Sequence, residues 1–291
     1  MNLRKLFRSE AASGYLLLSP TAIFSIVVMA APLIAVVLFS FMTAGYLKII
    51  WTPTLANYVT LLDQPIYVTL MMRSLIVAAV ATAATVFSAL PIAYFISFFV
   101  PPERKSLWLF LITIPFWTSY LIRVFLWKVI LGYNGVINSA FLGLGIIHEP
   151  MTFLLYNANA VVITLAHAYA PFAILPIFVS LEKIDRSLLE AGQDLGESRF
   201  MTFIRVTLPL AVPGVVASVL IVFIPTVGDY VTPTLVGGNN GQMVANLIEN
   251  SYFKLGNYPL GSAISVSAMG IVTVICLIFL FLNRRFLRSR S

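Results

Sequence analysis

Residues 74–102 read SLIVAAVATAATVFSALPIAYFISFFVPP, a stretch between Arg73 and Glu103 without one charged side chain. A helix rises about 1.5 Å per residue and the hydrocarbon layer of a bilayer is about 30 Å thick, so about 20 apolar residues cross it. This stretch meets that requirement and predicts a spanning helix over 69–100. Outward from it, five more uncharged runs cover 11–47, 106–122, 150–181, 206–228 and 255–283. Four of the five reach spanning length outright. The run 106–122 does so by continuing past Arg123 to Leu131. The composition agrees: 60% of residues are hydrophobic and 10% charged, where a soluble domain has about 25% charged. A soluble core cannot absorb that much apolar surface. A membrane β-barrel would show segments of about 10 residues alternating apolar and polar, and these runs are continuous. The expectation is an all-α membrane protein with helices near 14–42, 69–100, 107–131, 156–181, 208–228 and 259–283.

The first run follows Arg4, Lys5 and Arg8, as in a signal peptide. It exceeds the 7–15 apolar residues, roughly, of such a leader, so it reads as a retained helix. Six crossings place both termini on one side. Thirteen of the 18 basic residues fall in the N-terminal segment 1–13, the connections at 101–106 and 182–207, and the tail 284–291. The bias of Lys and Arg toward cytoplasmic loops puts both termini in the cytoplasm. The net charge of +7 is then a matter of topology rather than of nucleic acid. Outer connections near 43–68, 132–155 and 229–258 are longer and rich in Gly, Asn, Pro and Tyr. Cys276 is the sole cysteine and forms no internal disulfide. Pro91, Pro115, Pro171, Pro176 and Pro225 fall inside spans, where prolines kink helices.

The connection 182–207 is the most charged stretch, with Glu182, Lys183, Asp185, Arg186, Glu190, Asp194, Glu197, Arg199 and Arg205. Leu188, Leu189, Leu195, Phe200, Phe203 and Ile204 recur in it at helical spacing. Ser187 with Glu190 three residues on reads as a capping box, and short helices are expected, broken near Gly192 and Gly196. Their apolar residues need a partner, because so short a segment makes no core. An amphipathic helix on the inner leaflet would favour Lys and Arg on its polar face. The mixture here, five acids and four bases, suits a protein partner better.

Within it, Glu190-Ala191-Gly192-Gln193-Asp194-Leu195-Gly196, then nine residues, then Val206-Thr207-Leu208-Pro209, resembles the EAA loop of ATP-binding-cassette importer permeases, whose pattern is E-A-A-x3-G-x9-I-x-L-P. Gly192 replaces the second Ala and Val206 the Ile; the spacing is intact. The resemblance implies the type I importer permease fold and a coupling helix that docks on an ATPase subunit through Glu190, Ala191, Gly192, Gly196, Phe200, Leu208 and Pro209. The chain has no phosphate-binding G-x-x-x-x-G-K-[ST] motif, and no glycine precedes a lysine anywhere. ATP and Mg then belong to the partner; no cofactor or metal and no catalytic role is expected here. The implied partners are a second similar permease, an ATPase pair, a periplasmic binding protein and the bilayer of the bacterial inner membrane.

Pro115–Arg123 with Trp127, Gly228–Gly238 and Asn257–Ala263 look like the spermidine/putrescine permease subfamily, on the side of its first permease subunit. Permeases for opines, and more distantly for iron or thiamine, share versions of these stretches. A polyamine favours acids and aromatic faces, which singles out Asp229, Tyr230, Trp117, Tyr120 and Tyr169 as candidate pathway residues. An interfacial belt or helix packing accounts for the aromatics equally well, and Asp229 could instead cap the outer loop. Arg123 and Lys128 oppose a simple cation path unless they reach outward or pair with an acid. His167 reads as a hydrogen-bonded bundle residue, with substrate contact as the alternative; His148 carries no functional argument. An ion-coupled secondary transporter would need buried acids in mid-span, and the spans carry acids only at their ends. A membrane enzyme would need a convergent acid, His or metal set, and the sequence offers none.

Overall fold

The computed structural model describes residues 10–154 and 156–288. The expectations for Arg4, Lys5, Arg8 and Arg290 lie outside them. Helix α1 (Glu10–Ser40) leads into a hairpin of β1 (Met42–Gly45) and β2 (Lys48–Pro53), then α2 (Ala56–Asp63) and α3 (Pro65–Phe98). Next come α4 (Pro102–Thr113), a 3-10 turn (Ile114–Trp117), α5 (Tyr120–Leu131) and α6 (Val136–Gly143). The second half holds α7 (Ala158–Glu182), α8 (Arg186–Asp194), α9 (Arg199–Thr202), α10 (Leu208–Val227), α11 (Val244–Glu249) and α12 (Tyr258–Arg288). Among the described residues six stretches are long and apolar enough to cross a membrane: Leu17–Ser40, Pro65–Phe98, Tyr120–Gly143, Ala158–Glu182, Arg199–Val227 and Tyr258–Phe286.

In lipid, helices gain little by burying apolar side chains against each other, so close backbone approach through small residues holds them together. Helix α3 supplies such a face. Ser74, Ala78, Ala81, Thr85, Ala89, Ala93 and Ser97 recur every three or four positions and all are fully buried. Against it lie α7 and α10, joined in one core by Ile96, Ile174, Ile177, Ala211 and Val222. Helix α12 packs on α10 and α1. Among the described residues helix α1 has no other extensive contact: its apolar window is wholly unburied, with Leu17, Phe24 and Met29 exposed.

Two expectations need correction. The third helix is not continuous over 107–131. Pro115, which lacks an N–H, sits in the 3-10 turn, and Thr118 and Ser119 are extended with ψ of 147° and 137°, so α4 and α5 are separate rods. The fifth span begins at Arg199 rather than 208, because α9 runs through a π turn (Phe203–Thr207) into α10. The connections near 43–68 and 229–258 are built structures. The first carries the hairpin, pinned by Asn57 Nδ2 donating to Ser40 O at 3.0 Å and Met42 O at 2.9 Å. The last carries α11, whose Val244 N–H donates to Ser74 Oγ at 2.6 Å. Of the prolines inside the spans, Pro91, Pro171, Pro176 and Pro225 lie within continuous helices, and Pro115 lies at a break.

Candidate functional site

Two regions at opposite ends of the bundle carry the residues singled out by sequence. The first is α8 and α9. Asp185, not Ser187, caps α8: its carboxylate accepts the Ser187 N–H at 3.0 Å, which holds the carboxyl below its ordinary range. The helix runs through Gly192 without a break and ends at Asp194. Its end is a Schellman motif. Glu197 N–H bonds back to Gly192 O at 3.1 Å and Gly196 N–H to Gln193 O at 2.9 Å. Gly196 has φ of +87°, a conformation that costs other residues about 1–2 kcal/mol. Ser198 then caps α9, accepting the Met201 N–H at 3.3 Å.

Gly192 is needed for proximity instead. A Cβ there would lie 3.3 Å from Thr202 Cγ2, so the glycine lets α9 close onto α8. Glu197 and Arg205 add an ion pair at 2.5 Å. This folded loop leaves apolar side chains uncovered: Leu195 is 86% and Phe200 70% exposed, with Leu188 and Ile204 also open. Glu190 and Ala191 lie on the exposed surface. Glu190 borders an open cavity of about 290 Å³ with Tyr94, Phe98, Arg186 and Arg199. Leu208 and Pro209 stand apart, opening α10. Pro209 brings no N–H, and the turn before it is widened, with Leu208 N–H bonding back five residues to Phe203 O.

The second region is the chain leaving α10. Asp229 is only 7% exposed. Its Oδ1 accepts the N–H of Val231 at 2.9 Å and of Thr232 at 3.3 Å. Its Oδ2 accepts Thr232 Oγ1 at 2.5 Å and the Tyr120 hydroxyl. The carboxylate therefore ties α5 to the turn after α10 and caps that turn. Among the described residues no basic side chain comes within 4.0 Å of it. A buried charge solvated only by neutral donors is costly in a membrane domain. Tyr169 on α7 lies in electrostatic reach of the same group.

The structure thus brings together Tyr120, Tyr169 and Asp229 of the five candidate pathway residues, and adds Thr232, which its type alone did not flag. Trp117 and Tyr230 do not join them. Trp117 is 80% exposed in the 3-10 turn, edge-on to Phe110. Tyr230 borders a mainly apolar cavity of about 590 Å³ between α10, α11 and α12. Arg123 neither reaches outward nor pairs with an acid. It lies over the Phe116 ring at 5.2 Å and donates to Thr118 O at 3.2 Å and Ala168 O at 3.4 Å. His167 Nδ1 accepts the Trp127 indole N–H at 3.1 Å, a link between α5 and α7. Among the described residues no three His, Cys, Asp or Glu side chains gather as a metal site.

Residues 80–291 match the family described as binding-protein-dependent transport system inner membrane component. The chain is 35% identical over 243 residues to the spermidine/putrescine transport system permease protein PotB of Escherichia coli (strain K12), covering 82% of this chain and 86% of that one. It is 35% identical to PotB of Haemophilus influenzae over 231 residues, 79% of this chain and 80% of the relative. It is 30% identical to the inner membrane ABC transporter permease protein YdcU of Escherichia coli (strain K12) over 225 residues, 73% of this chain and 71% of the relative. Among solved structures, a bacterial alginate ABC transporter crystallised with an alginate-pentasaccharide-bound periplasmic protein superposes with a TM-score of 0.75 at 18% identity, over 99% of both chains. The relatives are transport permeases rather than enzymes. On the matched span, the shared bundle and these identities, the chain belongs to the family of binding-protein-dependent transport system inner membrane components.

Proposed function

We propose that the chain is one of two permease subunits of a bacterial polyamine importer, with both termini and the α8–α9 loop in the cytoplasm. The basic residues support that orientation, since they concentrate in the connections on that side. The import reading is carried by the α8–α9 pair: a capped, rigid loop at one end of the bundle with Leu195 and Phe200 uncovered. Leu195 lies outside the spans and Phe200 at the very start of the fifth, and exposed apolar side chains in such a place suit a protein contact. Their place in the E-A-G-x3-G spacing fits an ATPase subunit, which would bind ATP and Mg. A periplasmic protein would deliver cargo at the opposite end, between this chain and a second permease. Closure and reopening of the ATPase pair would then move α8 and α9, and with them α7 and α10, so that the pathway opens to the two sides of the membrane in turn.

The names of the PotB relatives support a polyamine as cargo. Asp229 gives that cargo a chemical counterpart. An ammonium group would replace the Tyr120 hydroxyl at Oδ2 and supply the countercharge the carboxylate lacks, with Tyr120 and Tyr169 offering cation–π faces.

The test is uptake of labelled putrescine and spermidine by a deletion strain, with and without the restored gene. Loss and recovery of uptake is expected. Asp229→Asn keeps the shape and removes the charge, and losing a charged hydrogen bond of about 1.5–3 kcal/mol predicts uptake reduced tenfold or more. Unchanged uptake of both polyamines on deletion would refute the cargo, and wild-type uptake by Asp229→Asn would remove that residue from the path.

A further inference from the structure

Helix α3 ends before Pro101-Pro102, and this leaves a carbonyl without its usual donor. Ser97 O would accept the N–H of residue 101, but proline has none. The missing donor comes from another element. One terminal guanidinium nitrogen of Arg186, the first residue of α8, donates to Ser97 O at 2.6 Å. The same guanidinium lies over the Phe98 ring at 5.1 Å. A cation at the C-terminal end of a helix is also favoured by the helix dipole.

Ser97 is fully buried, and its hydroxyl faces the other way. It donates to Glu182 Oε1, the last residue of α7, at 2.6 Å. Lys105 Nζ, on α4, reaches the same oxygen at 2.6 Å, and its side chain is only 12% exposed. Four elements therefore meet around one serine: the ends of α3 and α7, the first turn of α4 and the start of α8. Helix α8 itself buries no side chain fully. It is held by this joint, by partly buried Leu189 and by buried Ile184 just before it.

We propose that Ser97, Lys105, Glu182 and Arg186 form a force-transmitting joint that fixes α8 against α3, and the end of α7 just before it against α3 and α4. Through it, displacement of α8 reaches the bundle instead of being absorbed in the loop. Arg186 is the positioning residue. Its planar fork donates to the carbonyl while stacking on Phe98, a combination lysine does not reproduce. The proposal rests on the importer function above, and its experiment separates the two.

The assay uses the complete complex, both permeases with the ATPases and the binding protein, reconstituted in liposomes. Assembly, ATP hydrolysis and cargo uptake are measured on the same preparation for Arg186→Gln, Arg186→Lys and Ser97→Ala. Loss of a charge-assisted hydrogen bond predicts uptake per ATP hydrolysed reduced about tenfold or more in Arg186→Gln, with assembly kept. Arg186→Lys should fall between it and wild type, and Ser97→Ala should show a smaller loss in the same ratio. An unchanged ratio in Arg186→Gln and Ser97→Ala would overturn the joint. So would equal loss of assembly, hydrolysis and uptake in all three variants, which would mark a role in folding alone. A wild-type chain that binds no ATPase would instead overturn the importer function, whatever the variants do.

Discussion

Gly214 sits where α10 crosses α7, and replacing it with alanine is the sharpest test of how the bundle is held. A Cβ at this position would lie 2.5 Å from Ser180 Cβ, 2.6 Å from Pro176 O and 3.1 Å from Ile177 Cα. Carbon atoms rest at about 3.5–4.0 Å, so the two helices would have to part by about 1 Å. Two of the three obstacles are backbone atoms and cannot rotate aside. Separation would also stretch Ser218 Oγ to Ala173 O, now 2.9 Å, and Ser180 Oγ to Leu210 O, now 3.4 Å. Overpacking costs about 1–3 kcal/mol and each of the two interhelical hydrogen bonds about 0.6 kcal/mol, together about 2–4 kcal/mol. At about 2–4 °C per kcal/mol for a domain of this size, the detergent-solubilised protein should melt roughly 4–16 °C lower. Fluorescence-detected size exclusion after a temperature series measures that shift. Gly270→Ala on α12 is the control, since nothing lies within 4 Å of a Cβ there. If Gly214→Ala melted with wild type, the claim that α7 and α10 touch at the limit of backbone approach would be wrong.

Other expectations concern the α8–α9 loop. Glu190→Lys should abolish transport and weaken ATPase retention on purification without lowering the melting temperature of the isolated chain; normal transport would contradict the docking role. Gly196→Ala places a side chain at φ of +87° and should loosen the turn by about 1–2 kcal/mol, seen as faster amide exchange at Leu195–Glu197; unchanged exchange would dismiss the glycine requirement. Asp185 has its carboxyl held below the ordinary 3.8 by the Ser187 N–H. Its cap is therefore complete above that value and is lost only as pH falls through the lowered one. Protection of the α8 amides, corrected for intrinsic exchange, should stay flat between about pH 7 and pH 5 and fall in stronger acid. Asp185→Asn should remove that fall, and a decline already at mild acidity would rule the cap out as its source.

The spans were legible because a bilayer dictates both length and polarity, so uncharged runs of 20 or more residues announce themselves. The α8–α9 loop was legible because Glu190, Gly192 and Gly196 stand at fixed spacing and Gly196 has a conformational reason to be there. What escaped notice depends on distance in sequence. Ser97, Lys105, Glu182 and Arg186 meet only after folding, and no periodicity links them. The break at Pro115 was hidden because most interior prolines of this chain, such as Pro171 and Pro176, leave their helix intact. Asp185 rather than Ser187 caps α8, since both types cap well and only the backbone decides. Tyr230 and Trp117 were chosen by residue type, and type does not fix which way a ring faces.

The π turn before Pro209 holds one residue more than an ordinary helical turn would. One residue is worth about 100° of winding. Were that surplus passed back toward Ser198, Arg199 and Phe200 would swing about the axis while Leu208 and the rest of α10 kept their places. Such a shift would turn exposed Phe200 by about a quarter-turn without breaking the helix that runs on into α10.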